Sequence, residues 1–140
     1  MSEKILETLM HLFAIIALPQ TDDSLRRGVV ESFLKRLLNQ ELVEKYLSIY
    51  DTEYGEARSK LERSSPEKRE GAIAIRITKL CRDINEQRQL DQEQRIVLVI
   101  QVLEFCKSGG LEVSPTELGF INTLAEGLNI TEEEYSLIEK

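Results

Sequence analysis

Apolar residues recur at spacings of three and four along almost the whole chain, and this period constrains the fold more than any other feature. Ile5, Leu6, Leu9, Leu12, Phe13 and Ile16 form one such stripe, which stops at Pro19. Leu25, Val29, Val30, Phe33, Leu34, Leu37 and Leu38 form the next, after Asp22-Asp23-Ser24, which carries N-cap chemistry. A third runs through Leu42, Val43, Tyr46, Leu47, Tyr50, Tyr54, Ala57 and Leu61. A period near 3.6 puts each set on one face of a helix, and burying several such faces against one another gives an all-α, multi-helix bundle.

Two segments carry competing patterns. Ala72-Ile73-Ala74-Ile75-Arg76-Ile77-Thr78 alternates like a strand, but Ile73, Ile77, Leu80, Cys81 and Ile84 continue a helical spacing beyond the point where the alternation ends. Ser64-Ser65-Pro66-Glu67 stands ahead of it as a helix start, with Pro where its missing N–H is harmless, so helix is the expectation. Arg95 to Lys107 is apolar on nearly every side and rich in Val and Ile. A central strand is the alternative there, but a strand needs partners and none is evident, so a buried helix capped by Asp91-Gln92-Glu93-Gln94 is expected. Ser114-Pro115-Thr116-Glu117 opens a further helix through Leu118, Ile121, Leu124, Ala125 and Leu128 as a capping box. Thr131-Glu132-Glu133-Glu134 opens another, which Lys140 cuts short, and we expect residues 1–140 to be a single domain at the front of a longer polypeptide.

Charge narrows the functions. Acidic residues outnumber basic ones 25 to 18, a net charge of −7 over 140 residues, which argues against nucleic acid or an anionic membrane as partner because phosphate surfaces select clustered Lys and Arg. From Glu112 onward seven acids face the single base Lys140, so a net −6 lies in the last fifth, much of it at helix starts, where the macrodipole favours acids. The N-terminus has no basic region of a signal peptide, and the apolar run Ile96 to Val102 is far short of the ~20 residues of a membrane span. We therefore expect a cytoplasmic segment without direct membrane contact, with Cys81 and Cys106 as buried thiols rather than a disulfide.

A shift of 90 residues aligns the two ends without a gap. Leu9, Leu12, Phe13 and Ile16 fall on Val99, Val102, Leu103 and Cys106, Ser24 falls on Ser114, and Leu38-Asn39 falls on Leu128-Asn129. The expected architecture is two helical units, about 5–50 and 95–140, with the helix of residues 66–90 between them.

The second unit, Leu103 to Ile138, resembles the tellurite-resistance TerB-like helical family in its apolar helix, short acidic loop, Ser-Pro-x-Glu cap, helix ending in Leu-Asn-Ile and Thr-Glu-Glu-Glu start. Over its whole length, notably Leu12-Phe13-Ala14-Ile15-Ile16-Ala17 and Leu37-Leu38-Asn39-Gln40-Glu41-Leu42-Val43, the chain also resembles the TerB-like N-terminal segment of large bacterial ABC transporter ATP-binding proteins. The resemblance implies a bundle of two TerB-like repeats. It also implies a non-catalytic regulatory or protein-interaction module, with other domains of the same chain or a protein as partner and a full-length protein associated with the inner membrane. The alternative it implies is a free-standing metal-binding stress protein. The family's first loop reads Asp-Gly-x-Ile-Ser-x-x-Glu, and here Gly110 and Leu111 stand at its first two positions, leaving Glu112 and Glu117, with Asp22 and Asp23 in the first unit, as weak candidate ligands. A calcium-type site wants more oxygen donors than these, so Glu117 reads first as a capping partner and Asp22 or Asp23 as a cap.

Catalytic chemistry is sparse. His11 lies inside an apolar helix with no nucleophile in its pattern; an acid–base role for it would call on Glu7 or Glu104, and a boundary histidine is the plainer reading. No Walker A or Gly-rich phosphate loop occurs, Ser108-Gly109-Gly110 reading as a helix stop, so no cofactor is expected, and an ATP site of the full-length protein would lie downstream. Arg76, Lys79 and Arg82 form a basic spacing broken by Asp83 and Glu86, which reads as a solvated helix face.

Overall fold

The computed structural model describes residues 3–18, 23–87, 90–107, 113–131 and 133–134. They form six helices and no strand: α1 (Glu3–Ala17), α2 (Asp23–Leu37), α3 (Gln40–Glu62), α4 (Pro66–Gln87), α5 (Gln92–Lys107) and α6 (Pro115–Gly127). Both ambiguous segments are helical. The alternating residues 72–78 lie inside α4, where Ile73 and Ile77 are buried and Ile75, two residues from each, points to solvent. The period of 3.6 therefore governs this segment.

Helix starts follow local chemistry. Asn39 caps α3, its side chain accepting from Leu42 N at 3.1 Å. Asp91 and Gln94 form a reciprocal pair at the start of α5, both bonds 2.9 Å, and Ser114 with Glu117 closes the expected capping box of α6. Thr131 and Glu134 pair in the same way; the helix expected to follow falls on residues 135–140, outside the described residues. Helix α6 ends in a Schellman arrangement: Asn129 takes φ 59°, its N–H reaches Glu126 O, and Ile130 N–H reaches Ala125 O.

The most enclosed helix is α1, in which eleven of fifteen residues are buried, Thr8 among them, and which packs against α2, α3, α4 and α5. The sequence pattern shows one stripe on α1 and assigns the all-round burial to α5. The structure corrects this, because Val97 and Ile100 of α5 are only half-buried while α1 is surrounded. Three other apolar positions also leave the core: Leu25 and Leu37 of α2, and Leu118 of α6, are nearly half exposed.

Contacts set the helix directions. Helix α3 turns back on α2, with Arg27 gripping Asp51 through two bonds of 2.9 and 3.0 Å, and runs in the same sense as α1, tied by His11 to Glu53 and by Arg58 to Leu18 O. Helix α4 packs on α1 and reaches α3 through Arg76, which donates to Glu53. It runs alongside α6, as bonds from Thr116 to Glu70 and from Asn85 to Gly127 O show. The ends of α1 and α2, shifted by 90, fall close to those of α5 and α6. The Leu-Asn punctuation is not equivalent in the two places, however, since Asn39 is an extended N-cap and Asn129 a left-handed helix stop.

Candidate functional site

Polar side chains gather at two places inside the bundle. The first joins α2, α5 and α6. Arg26 is 1% exposed and Glu117 2%, and their side chains meet at 3.0 Å. The guanidinium also donates to the carbonyl of Phe105, one of the last-turn carbonyls that a helix leaves without an internal partner, and lies 5.1 Å over the Phe105 ring. That ring stacks on Phe13 at 4.6 Å, and Phe13 meets Phe33 edge-on. Glu117 accepts from Arg26 with one oxygen and from Ser114 N with the other. Burial, reinforced by the Glu117 carboxylate, pushes the Cys106 thiol up to about 12, and burial lifts Cys81 to about 11; both are buried free thiols, as expected.

Of the four candidate metal ligands, this cluster takes Glu117 into an ion pair and a capping box. Asp22 and Glu112 lie outside the described residues, and Asp23 begins α2 with a side chain that is not described. Among the described residues no three or more His, Cys, Asp or Glu come together as a metal-binding group.

The second place is a cleft of about 380 Å³ between α1, α3 and α4. Its floor is apolar, from Ile15, Leu80 and Ile84, with the buried Thr8 beside them. At its inner end Glu53 stands between two basic groups, Arg76 at 3.1 Å from one carboxylate oxygen and His11 at 3.7 Å from the other. The imidazole beside it and then the guanidinium hold the Glu53 carboxyl below the usual glutamate range, against the opposing effect of burial. Arg76 Nε is buried without a hydrogen-bond partner. Towards the rim, Lys4 and Glu7 line the cleft from α1, and Lys79 and Asp83 from α4.

This cleft revises two sequence expectations. The carboxylate that meets His11 is Glu53, on a different helix; Glu7 lines the same cleft, whereas Glu104 lies with Phe13 and Phe33 around a separate hollow of about 230 Å³. Of the basic spacing, Arg76 turns into the cleft and meets Glu53, whereas Lys79, at the edge of the same cleft, and Arg82 are exposed as a solvated face requires. Sequence reasoning passed over Arg26 and Glu53, although a signal exists. Arg26 stands three and four residues before Val29 and Val30, and Glu53 stands between Tyr50 and Ala57, so each charge sits on an apolar stripe that faces inward. Among the described residues no helix is long and apolar enough to cross a membrane. No protein-family model, curated protein or solved structure matches this chain.

Proposed function

We propose that these residues form a non-catalytic regulatory and protein-interaction module of the TerB-like kind, which serves in the cytoplasm at the front of an ABC-type ATP-binding protein. The observation that carries the non-catalytic part is the fate of the strongest polar groups. Arg26 and Glu117 are sealed in the core against each other, and Glu53 is matched by Arg76 and His11. Such pairing commits these groups to holding helices in register and takes them out of acid–base or nucleophilic use. What stays accessible is the rim of the α1/α3/α4 cleft, a mixed-charge surface of the type that selects partners by electrostatic complementarity. The ABC-protein setting rests on the sequence resemblance.

Two measurements test this reading. The gene is expected to continue past Lys140 into a nucleotide-binding domain, and a stop codon there would remove the fusion. In the full-length protein, deletion of residues 1–140 is expected to change the rate of ATP hydrolysis with the nucleotide site intact; an unchanged rate would remove the regulatory role. Calorimetric titration of the 140-residue chain with calcium and transition metals is expected to be silent, whereas saturable heat at micromolar metal would favour the metal-binding alternative through Glu112, Glu117, Asp22 and Asp23.

A further inference from the structure

Successive residues of a helix turn by about 100°, which brings Lys68, Ile75, Lys79 and Arg82 within about 60° of one another around α4, opposite the buried Ile77 and Ile84. All four are exposed, and Ile75, at 59%, is the most exposed large hydrophobic among the described residues. The side chains of the three cations make no ion pair or hydrogen bond among the described residues, whereas Arg27, Lys35, Arg58 and Arg76 are each matched to a carboxylate. No acid stands in this row until Glu86, one turn beyond Arg82. Between Lys60 and Arg82 the chain holds seven bases and three acids, while in the rest acids outnumber bases 22 to 11. The outer face of α4 is thus a local reversal of the molecule's charge, with an apolar residue in its middle.

Lys68 and Arg82 stand seven residues to either side of Ile75, so the row repeats every two turns and spans about 21 Å. Two helices packed side by side meet at that repeat. A second helix laid along α4 would set one apolar side chain on Ile75 and, two turns to each side, acids on Lys68 and Arg82. The spacing is symmetric about Ile75, so either direction of the second helix serves. One turn before Ile75, Gly71 is exposed, with nothing within 4 Å of where a Cβ would stand, which leaves the surface low enough for close approach. Near the other end of the row a shallow hollow of about 610 Å³ opens between α4 and α6, lined by Thr78, Arg82 and Gly127. A phosphate surface would answer the cations and leave Ile75 uncovered, whereas an amphipathic helix answers both.

We propose that the outer face of α4 docks an acidic amphipathic helix of a partner protein, an apolar residue of that helix covering Ile75 and its acids meeting Lys68, Lys79 and Arg82. This deepens the protein-interaction reading above and rests on it, by naming the chemistry of the partner. Ile75 supplies the apolar burial, and the cations select the partner's sign and speed the encounter.

The test is titration of the 140-residue chain against an end-labelled, alanine-based helical peptide, read by fluorescence anisotropy in low salt. The peptide carries Leu at its centre and Glu seven residues to each side and one turn inside each of those. Saturable binding with a dissociation constant on the order of 0.1 mM is expected. Matching peptides with Gln for every Glu, or with two Pro that break the helix, are expected to bind at least tenfold more weakly. Ile75→Ser is expected to weaken binding about tenfold, as for exposing an apolar side chain that the complex buries. Lys79→Glu combined with Arg82→Glu is expected to weaken it at least tenfold, and added salt should weaken the wild-type complex. All three positions are exposed, and circular dichroism checks that the variants fold. No binding, equal binding of the Gln or Pro peptide, or unchanged affinity in Ile75→Ser and in the double variant would overturn the proposal. So would tighter binding to phosphatidylserine vesicles, or self-association of the chain that Ile75→Ser abolishes, since each gives the face to another occupant. Any of these failures leaves the ATPase test of the regulatory reading untouched, which separates the two.

Discussion

Arg26 and Glu117 provide the sharpest test of how this bundle is held together. Glu117→Gln keeps an oxygen for Ser114 N, and so keeps the cap of α6, while removing the charge opposite Arg26. Arg26→Met keeps much of the apolar stem and removes the guanidinium from Phe105 O and from Glu117. Each single change leaves a buried polar or charged group without its partner, which destabilises by about 3–5 kcal/mol. Unfolding entropy of about 2.1 cal/mol/K per residue over 140 residues makes each kcal/mol worth about 3.4 °C, so each variant should melt about 10–17 °C below the wild type. The double variant, which leaves no net charge in the core, is expected to be no less stable than the worse single one. Urea denaturation followed by circular dichroism at neutral pH measures all four proteins, and the double-mutant cycle isolates the pair. Losses below about 1 kcal/mol in both singles, or strictly additive losses in the double, would refute the argument that the two charges are mutually dependent.

Other consequences follow from single positions. A Cβ at Gly127 would lie 2.7 Å from Cys81 Sγ and 2.8 Å from its Cβ, between α6 and α4, so Gly127→Ala should cost about 1–3 kcal/mol in urea melts, where a neutral result would show that α4 shifts freely. Because the Glu53 carboxyl is held below the ordinary glutamate value of about 4.3, its contribution to stability is complete above that pH and is lost as pH falls through the depressed folded value; Glu53→Gln should flatten that part of the stability profile between pH 5 and 2. Neither thiol should react with iodoacetamide at pH 8 in the folded protein, and both should react in urea; burial is the leading cause in each, so Glu117→Gln should leave Cys106 unreactive as long as the fold survives.

Much of the helical framework is legible in the sequence because its causes are local. Capping residues sit next to the backbone groups they satisfy, so Asp91, Ser114 and Thr131 mark helix starts without reference to anything distant. Within α4, the persistence of helical spacing past Thr78 is enough to decide against a strand. The candidate site is far less legible. Glu117 is readable as a cap, but its second oxygen meets a residue 91 positions away, and a one-dimensional pattern contains no information on which buried charge pairs with which. His11 is noticeable as an isolated imidazole, yet its carboxylate comes from α3, and the cleft exists only where α1, α3 and α4 come together.

By itself, then, the sequence determined that this chain is all-helical, where most of its helices begin and which faces carry apolar residues, since period and capping act within a turn or two. Tertiary structure decided which faces were buried. It enclosed α1 rather than α5, left Leu25 and Leu118 in solvent and drew the adjacent Arg26 and Glu117 inside. The physical reason is that a helix can turn any of several stripes inward at similar cost in apolar area, and the choice falls to the combination that also gives its buried charges partners. Here that combination matches Arg26 to a carboxylate and a helix-end carbonyl, and Glu53 to two basic side chains.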